Sequence, residues 1–329
     1  MGRSSRPPHR RWTSVFALAT GLTFCLPLFA QEAREQPAVD WSEEQILAAT
    51  SQVRAGRKLT PSSWPNGARM AVCLSFDVDN ETLSLVRGAT APVTLSAGEF
   101  GALSGLTRVL ALLERHHVPA SFYIPAVSVM LHPEMIEQIS KPGRHEIGVH
   151  GWVHENLPSL DDRERENELL DKAMDYLARA TGKPPVGFRA PSWAFSEHTL
   201  DLIREAGFLY DSSMMAMDEP YELLSHGEAT GMVELPVDWI LDDYPYFGPN
   251  ASGSMPSAET VAQTYRDEFD VAYQEGTMLM LTFHPHIIGH RARMKHLDEL
   301  MYYMKSKPGV WFATAEAIAT YVREEAGLE

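Results

Sequence analysis

Short apolar runs alternate with amphipathic segments along the chain from Met70 onward. Eight runs have the length and composition typical of buried strands, and they cover residues 71–76, 120–124, 146–149, 186–188, 208–210, 232–235, 278–283 and 310–312. Between most of these runs apolar residues recur at helical spacing, as at Leu106, Val109, Leu110 and Leu113. Helices are also predicted over residues 162–181, 196–206 and 257–275, because each of these segments is followed by a glycine that can end a helix.

This order of elements predicts an α/β fold. Strand and helix units that repeat from residue 70 to about 320 favour parallel strands with the helices outside. The most economical arrangement is a closed or nearly closed sheet, that is, a distorted (β/α) barrel of seven to eight strands. An open doubly wound sheet is the alternative.

The first thirty residues differ from the rest. Four arginines at positions 3, 6, 10 and 11 precede an apolar stretch over residues 15–30, with no acidic residue before Glu32. This order predicts a signal peptide over residues 1–30, and therefore an exported, periplasmic or extracellular protein that does not stay in the membrane after cleavage. An uncleaved membrane anchor is the alternative, although a stretch that contains Pro27 is short for a span.

Residues 31–69 read as an N-terminal extension that packs on a catalytic domain over residues 70–325. Ser42, with Gln45 three residues later, can cap a short helix that carries Ile46, Leu47 and Val53.

Charge and cysteine content narrow the possible partners. The formal net charge is −16, and it becomes −20 once the four arginines of the first thirty residues are removed. Such an acidic chain repels phosphate backbones, so we expect no nucleic-acid partner. Only Cys25 and Cys73 occur, so a chain without its signal segment cannot form an internal disulfide, and Cys73 is expected to be a small buried apolar residue.

Candidate metal ligands occur in two short segments. Asp77 and Asp79 are separated by Val78, and His150 precedes His154 by four residues. A carboxylate and two imidazoles that meet at one point can hold a divalent ion and leave a position open for water, which is a hydrolytic arrangement. Each segment alone is a weak signal, since strands often end in Asp and paired histidines also occur at surfaces and in cores.

The predicted barrel places these residues together. Active sites of such barrels lie at the C-terminal ends of the strands. Asp77 and Asp79 end the first strand, and His150, Arg189 and His284 end the third, fourth and seventh. Residues two apart on a strand face the same side, so both aspartates can point inward. The coincidence favours a catalytic metal site. A surface ion pair for Arg189 and a strand-end hydrogen bond for His284 are the alternatives.

Taken in order, these motifs resemble those of the polysaccharide deacetylase family, the NodB homology domain of carbohydrate esterase family 4. The resemblance spans about residues 70 to 320 and rests on these segments: Ser75-Phe76-Asp77-Val78-Asp79, Glu146-Ile147-Gly148, His150 to His154, Arg189-Ala190-Pro191-Ser192-Trp193 and Leu281-Thr282-Phe283-His284. It is closest to a branch that contains peptidoglycan-deacetylase-like proteins and metal-independent allantoinases. The segments that favour this branch are the spaced aspartates, Tyr210 to Met214, and Leu235 to Trp239 followed by Asp242-Asp243.

The resemblance implies a role for each motif residue. Asp79, His150 and His154 would hold Zn²⁺ or a similar divalent ion. Asp77 would be the general base, with Arg189 keeping it ionised, and His284 would donate a proton to the leaving amine. Because Val78 separates the aspartates, the exchange of roles between Asp77 and Asp79 stays open.

Support residues are implied as well. A backbone N–H near Trp193, in the motif that contains Pro191, would stabilise the oxyanion. The family's Asp-Trp motif, which steadies the catalytic histidine, matches either Asp211 or the pair Asp238-Trp239. His145, His286 and His290 are given no role.

Substrate selection is expected from two long loops, residues 82–104 and 242–257. The second contains Tyr244, Tyr246 and Phe247, which could stack on a sugar or a flat heterocycle, or simply pack the loop.

Three functions are compatible with this reading. The first is a metal-dependent hydrolase that removes N-acetyl groups from a cell-wall polysaccharide such as peptidoglycan, with an N-acetylated glycan as its partner. The second is an allantoinase-like amidase that opens a small cyclic ureide or imide. The third is a non-catalytic carbohydrate-binding barrel. The complete set of base, ligand and acid candidates favours the first.

Overall fold

The computed structural model describes residues 38–160, 162–249 and 254–328. The predicted signal segment with Cys25 lies outside these described residues. Ten strands occur in the described part: β1 Val53–Lys58, β2 Met70–Asp77, β3 Ser121–Ile124, β4 Glu146–Val149, β5 Gly187–Phe188, β6 Tyr210–Asp211, β7 Tyr221–Ser225, β8 Glu228–Glu234, β9 Met278–Phe283 and β10 Val310–Phe312.

Thirteen α-helices lie in the same described ranges: α1 Glu43–Ser51, α2 Thr82–Leu85, α3 Pro92–Phe100, α4 Leu106–His116, α5 Ala126–Leu131, α6 Glu134–Ser140, α7 Arg163–Thr181, α8 Thr199–Glu205, α9 Tyr244–Phe247, α10 Ala258–Glu275, α11 Pro285–Ile288, α12 Arg291–Lys305 and α13 Ala315–Ala326. A π-helical turn over Gly101–Gly105 joins α3 to α4. Among the described helices, none combines the length and the apolarity that crossing a membrane requires.

The sheet confirms the predicted α/β class. Each of the eight predicted runs forms one strand of a parallel set, ordered β9, β2, β3, β4, β5, β6, β8, with β10 beside the first half of β2. The sheet curls into an incomplete barrel. A parallel bridge between Asp242 and Thr282 brings the segment that follows β8 to the free edge of β9. The carboxyl ends of the parallel strands therefore gather around one point.

Strand β2 is the centre of this arrangement. It pairs with β9 along one edge, and with β10 and then β3 along the other. All eight of its residues are buried, and Cys73 is fully buried, as expected of a small apolar residue. Phe76 stacks on Phe122 at 5.1 Å and contacts Phe283 at 5.7 Å, so aromatic packing fixes the depth of β2 just before Asp77.

An antiparallel addition to the sheet escaped the sequence prediction. β1 pairs with β7, and β7 pairs with β8. Val53 was predicted in a helix but begins β1, since the capped helix α1 ends at Ser51. Ile46 and Leu47 are exposed, and no residue of α1 is buried, so these two side chains do not anchor the helix in the core. The sequence of β1 holds Gly56 and three basic residues, which hides the alternation expected of a strand.

Residues 82–104, predicted as a long loop, are mostly helical. α2, α3 and the π-helical turn occupy this segment and press glycines against neighbouring backbone. A Cβ atom added to Gly98 would lie 2.4 Å from the carbonyl carbon of Asn80, and one added to Gly105 would lie 2.0 Å from the carbonyl oxygen of Pro285. One helical segment thus packs against both the residue after Asp79 and the residue after His284.

Predicted helix ends agree closely with the structure where capping is strong. The Asp162 side chain accepts the Arg165 N–H at the start of α7, and Gly182 ends it with φ 78°. α8 begins at Thr199 rather than at the predicted Ser196, because the Ser196 hydroxyl accepts the N–H groups of His198 and Thr199 instead of entering the helix.

Replacing Gly105 with Ala tests the close glycine packing. The added methyl group must displace the Pro285 backbone, so we expect a loss of about 1–3 kcal/mol in the free energy of unfolding. Denaturant unfolding measures the loss, and Thr107→Ala, at an exposed position two residues later, is the control. A Gly105→Ala protein as stable as the control variant would contradict the packing described.

Candidate active site

The predicted chemical residues converge on one small cavity at the carboxyl ends of the parallel strands. Its volume is about 110 Å³, below the roughly 300–1,000 Å³ of sites that enclose a whole ligand, so it suits one projecting group of a larger molecule. It is lined by Asp77, Asp79, Leu83, His150, His154, Ser192, Trp193, Trp239, Asp242, Tyr244 and His284.

Asp77 and Arg189 form a buried ion pair at the base of the cavity. Arg189 Nη1 donates to Asp77 Oδ1 at 2.7 Å, and both side chains are almost completely buried. Burial alone would raise the pKa of Asp77, but the positive charge of Arg189, together with the nearby His150 and His284, lowers it below its ordinary value. Asp77 is therefore a carboxylate whose free oxygen, Oδ2, faces the two histidines.

Arg189 is held by an unusually complete set of partners. Its Nε donates to the Ser212 carbonyl at 2.9 Å, Nη2 donates to the Ser212 hydroxyl at 2.8 Å, and Nη1 also donates to Ser75 at 3.0 Å. The guanidinium lies 4.0 Å from the centre of the Tyr123 ring. The alternative of a surface ion pair for Arg189 is therefore wrong.

Asp79, His150 and His154 form a compact three-ligand cluster. His150 Nε2 lies 3.5 Å from Asp79 Oδ1, and His154 Nε2 lies 3.7 Å from Asp79 Oδ2. One ligand atom from each residue lies within 4.8 Å of the others, and all three side chains are buried. Two nitrogens and one carboxylate oxygen at this spacing form a donor set of the kind that Zn²⁺ uses in catalytic sites.

Protonation and hydrogen bonding suit this cluster to a cation. His150 Nδ1 lies 2.8 Å from the Arg189 carbonyl oxygen, which requires the proton on Nδ1 and leaves the Nε2 lone pair facing Asp79. Burial lowers the pKa of His150, and lowers that of His154 to about 4, so both imidazoles are neutral at pH 7. Asp79 Oδ1 is buried without a hydrogen-bond partner among the described residues. A divalent ion would satisfy that oxygen.

The loop between the two histidines is held in an uncommon conformation. Gly151 has φ 76° and His154 has φ 63°, in the left-handed region that non-glycine residues seldom adopt. The Glu155 carboxylate accepts the N–H groups of Trp152 and Val153 at 2.8–3.0 Å. These contacts hold the tight turn that returns His154 to the side of His150.

His284 lies opposite this cluster and is flanked by two aspartates. Its Nδ1 lies 2.7 Å from Asp243 Oδ1 and 3.4 Å from Asp242 Oδ1, while Nε2 faces the cavity, 4.0 Å from Asp77 Oδ2. Burial alone would lower the pKa of His284, but the two carboxylates raise it well above its ordinary value. His284 is therefore a protonated imidazole that points into the cavity.

This geometry corrects the predicted partner of His284. The Asp211 side chain accepts from the N–H and hydroxyl of Ser213, and Asp238 accepts the N–H of Ile240. Neither aspartate supports His284, and Asp243 does. Sequence reasoning noted Asp242-Asp243 only as a branch feature, because their contact with His284 depends on the bridge between Asp242 and Thr282.

The motif that contains Pro191 and Trp193 forms one wall of the cavity. The N–H groups of Trp193 and Ala194 already donate to the carbonyls of Ala190 and Pro191, at 2.9 and 3.1 Å, and an oxyanion donor near Trp193 stays a prediction. Ser192 and Trp193 have φ 53° and 55°, a strained pair that turns the indole toward the cavity. Trp193 contacts Trp239 at 4.2 Å between ring centres, and Trp239 is 44% exposed.

The aromatic residues of the second predicted loop have different surroundings. Tyr244 lines the cavity and lies 5.4 Å from His284 between ring centres. Phe247 is buried against Arg293, and Tyr246 contacts Tyr265. Only the first of the three therefore lies where it can contact a molecule in the cavity.

Comparison with other sequences yields a match to a family model. The polysaccharide deacetylase model matches residues 98–210. The chain is also similar to the peptidoglycan deacetylase of Helicobacter pylori, with 30% identity over 261 residues that cover 70% of this chain and 88% of the relative. A peptidoglycan deacetylase-like protein of Gibberella zeae is 27% identical over 261 residues, covering 68% of this chain and 77% of the relative.

Solved structures agree with these sequence matches. A Mycobacterium smegmatis protein assigned to the polysaccharide deacetylases is 35% identical with a TM-score of 0.76, covering 83% of this chain and 96% of that one. An allantoinase is 25% identical with a TM-score of 0.71, covering 79% of this chain and 92% of that one.

Proposed function

The chain belongs to the polysaccharide deacetylase family, whose members hydrolyse carbon–nitrogen bonds, and we propose that it removes N-acetyl groups from a cell-wall polysaccharide such as peptidoglycan in a metal-dependent reaction. One observation carries this proposal. The three-ligand cluster of Asp79, His150 and His154 lies in one cavity with a carboxylate, Asp77, and a protonated imidazole, His284.

The donor set supports a divalent ion, with Zn²⁺ as the expected metal. Asp79, His150 and His154 would hold it, since both imidazoles are neutral and Asp79 Oδ1 needs a partner. When bound, the ion supplies Lewis acidity toward an amide carbonyl and makes a water molecule more acidic.

Asp77 is proposed as the general base. Its free oxygen, Oδ2, faces the cavity while Oδ1 is occupied by Arg189, so the carboxylate can accept a proton from water without turning. The buried ion pair keeps Asp77 ionised and fixes its orientation. Asp79 is less suited to this role, because its Oδ1 faces His150 and its Oδ2 faces His154, so both oxygens lie against the proposed metal ligands.

His284 is proposed as the general acid. An amine is too basic to leave as an anion, so its nitrogen needs a proton as the carbon–nitrogen bond breaks. His284 presents Nε2 to the cavity, and Asp243 binds Nδ1 on the opposite side. The neighbouring Asp242 and Asp243 raise the pKa of the imidazole, which favours its protonated form before that step.

The size of the cavity supports a polymer-borne acetamido group as the substrate. A volume of about 110 Å³ suits a group that projects from a larger molecule. The exposed indole of Trp239 lies at the wall of this cavity, where a sugar ring attached to that group can stack. Two relatives are named for peptidoglycan deacetylation, in agreement with such a substrate.

A second candidate is a cyclic amidase. The structural similarity to an allantoinase, with a TM-score of 0.71, favours this second candidate. A fold shared with an allantoinase can accommodate a small cyclic ureide or imide. The three-ligand cluster favours the deacetylase, because it provides a complete metal site.

A substrate panel separates these candidates. Purified protein is incubated with peptidoglycan, N-acetylglucosamine oligomers and allantoin, with and without a chelator, and released acetate or ring-opened product is measured. We expect acetate from the glycans, lost with chelator and restored by Zn²⁺. Ring opening of allantoin that survives the chelator would support the amidase, and glycan binding without turnover would support a carbohydrate-binding barrel.

Export is proposed together with this function, since a cell-wall substrate lies outside the cytoplasm. The predicted signal segment, residues 1–30, supports it. Fractionation of cells that express the full chain, compared with a chain lacking these thirty residues, tests whether the protein reaches the periplasm or medium.

The two aspartates are predicted to have separable roles. Asp79→Ala should lose bound metal, because it removes one of three ligands, whereas Asp77→Asn should keep metal and lose at least about a hundredfold in kcat. Metal content by mass spectrometry and acetate release check both. Loss of metal in Asp77→Asn with retention in Asp79→Ala would mean that the roles are exchanged.

Substitution of Asp243 is predicted to lower kcat, whereas substitution of Asp238 is predicted to leave it nearly unchanged. Asp243→Asn removes a carboxylate from His284, lowers the pKa of the imidazole and should reduce kcat by about tenfold or more. Asp238→Asn, next to the exposed Trp239, is the matched control and should stay within about twofold of wild type. Equal kcat losses in the two variants would argue against Asp243 as the partner.

A further inference from the structure

Two buried carboxyl groups outside the cavity meet beneath Arg189. Asp211 ends β6 and Glu234 ends β8, and the two residues are partners in the parallel register of these strands. Both side chains are completely buried. The Ser213 N–H donates to both of them, at 3.1 Å to Asp211 Oδ2 and at 2.9 Å to Glu234 Oε1. Two carboxyls that share one donor cannot both be charged in a dry interior without strong repulsion.

The charged groups around the pair do not neutralise a second negative charge. Arg189, the residue after β5, faces the pair but is already paired with Asp77. Tyr221 faces Glu234 from β7 and is a neutral phenol that donates to no carboxylate of the pair. Glu234 Oε2 has no conventional partner among the described residues. A proton shared by the two carboxyls removes the repulsion between them and gives Glu234 Oε2 a hydrogen-bond partner.

The pair connects to the proposed general base through two serines. Asp211 Oδ1 accepts the Ser213 hydroxyl at 2.7 Å, and the Ser213 hydroxyl in turn accepts the Ala190 N–H at 2.8 Å. Ser212, between them, binds Arg189 through both its carbonyl and its hydroxyl. The carboxyl pair therefore holds the backbone over residues 211–213, and this backbone segment in turn holds Arg189.

We propose that Asp211 and Glu234 share one proton and act as positioning residues, holding Ser212 and Ser213 so that Arg189 orients Asp77. The role of Asp77 rests on the proposed function, whereas the shared proton does not. Burial and the neighbouring carboxyl raise the pKa of Glu234 well above its ordinary value, in agreement with a retained proton.

The shared proton is tested by stability as a function of pH, without substrate. The folded pair keeps a proton that the unfolded chain loses above about pH 4.5, so the contribution of this pair to the wild-type Tm falls as pH rises from 5 to 8. Glu234→Gln removes this proton and keeps an amide donor toward Asp211. The Tm difference, variant minus wild type, should therefore grow by several degrees over that range.

Glu222→Gln is the matched control, since Glu222 is a buried glutamate on the adjacent strand β7 that pairs with Arg57 and accepts the Gly231 N–H. Its Tm difference from wild type should be constant over the same range. A constant difference for Glu234→Gln as well would overturn the shared proton.

The positioning role is tested separately. Glu234→Leu removes the acceptor of the Met214 N–H and leaves the Ser213 N–H with Asp211 alone, so the backbone that holds Arg189 loosens. We expect kcat to fall about tenfold, with KM and metal affinity within about twofold, and Glu234→Gln to restore most of the lost kcat. Hydrogen exchange of the Ala190 amide should quicken in Glu234→Leu and return toward wild type in Glu234→Gln.

Hydrogen exchange is measured without substrate turnover, so it tests the positioning role even if none of the substrates proposed above is hydrolysed. Folded Glu234→Leu with wild-type exchange at Ala190 would overturn the positioning role. If Glu234→Leu does not fold, unchanged Ala190 exchange in Asp211→Asn would overturn it in the same way, and accelerated exchange would support it.

Discussion

The buried contact between Arg189 and Asp77 is the interaction on which the rest of the site depends. Placing a full positive charge in the interior is costly unless the charge is paired and hydrogen-bonded, and this guanidinium makes four hydrogen bonds, to Asp77, to Ser75 and to the carbonyl and hydroxyl of Ser212. The Arg189 carbonyl also binds His150. A single residue thus sets the charge of the proposed base and the tautomer of a proposed metal ligand.

The curled parallel sheet makes that contact possible. Asp77 ends β2, and His150 and Arg189 directly follow β4 and β5, in a sheet that runs β2, β3, β4, β5 around the curve. Because Asp77, His150, Arg189 and His284 lie at or directly after the carboxyl ends of strands in a packed sheet, strand spacing largely sets their separation. The position of His154 depends in addition on the turn that Glu155 holds. The mobile parts of a substrate would meet the aromatic wall around Trp239 instead.

Sequence patterns predicted the strands that are apolar throughout, since buried parallel strands read as continuous apolar runs. They also brought Asp77, Asp79, His150, Arg189 and His284 to one rim. The patterns failed to predict elements whose local sequence lacks the hydrophobic periodicity of a strand or helix. β1 is rich in basic residues because it lies at the sheet edge, and the helices after Asp79 are built on glycines that resemble loop residues. The Asp243 contact arises only when the segment after β8 reaches β9.

The glycine contacts of Gly98 and Gly105 bear on how this architecture can change its substrate. They lock one helical segment against the residues that follow Asp79 and His284, so insertions or larger side chains on that side would disturb both loops at once. The wall that contains Trp239 and Tyr244 instead keeps an exposed indole. Substitutions that change substrate selection are therefore expected on the Trp239 side of the cavity, while the side packed through Gly98 and Gly105 tolerates few changes.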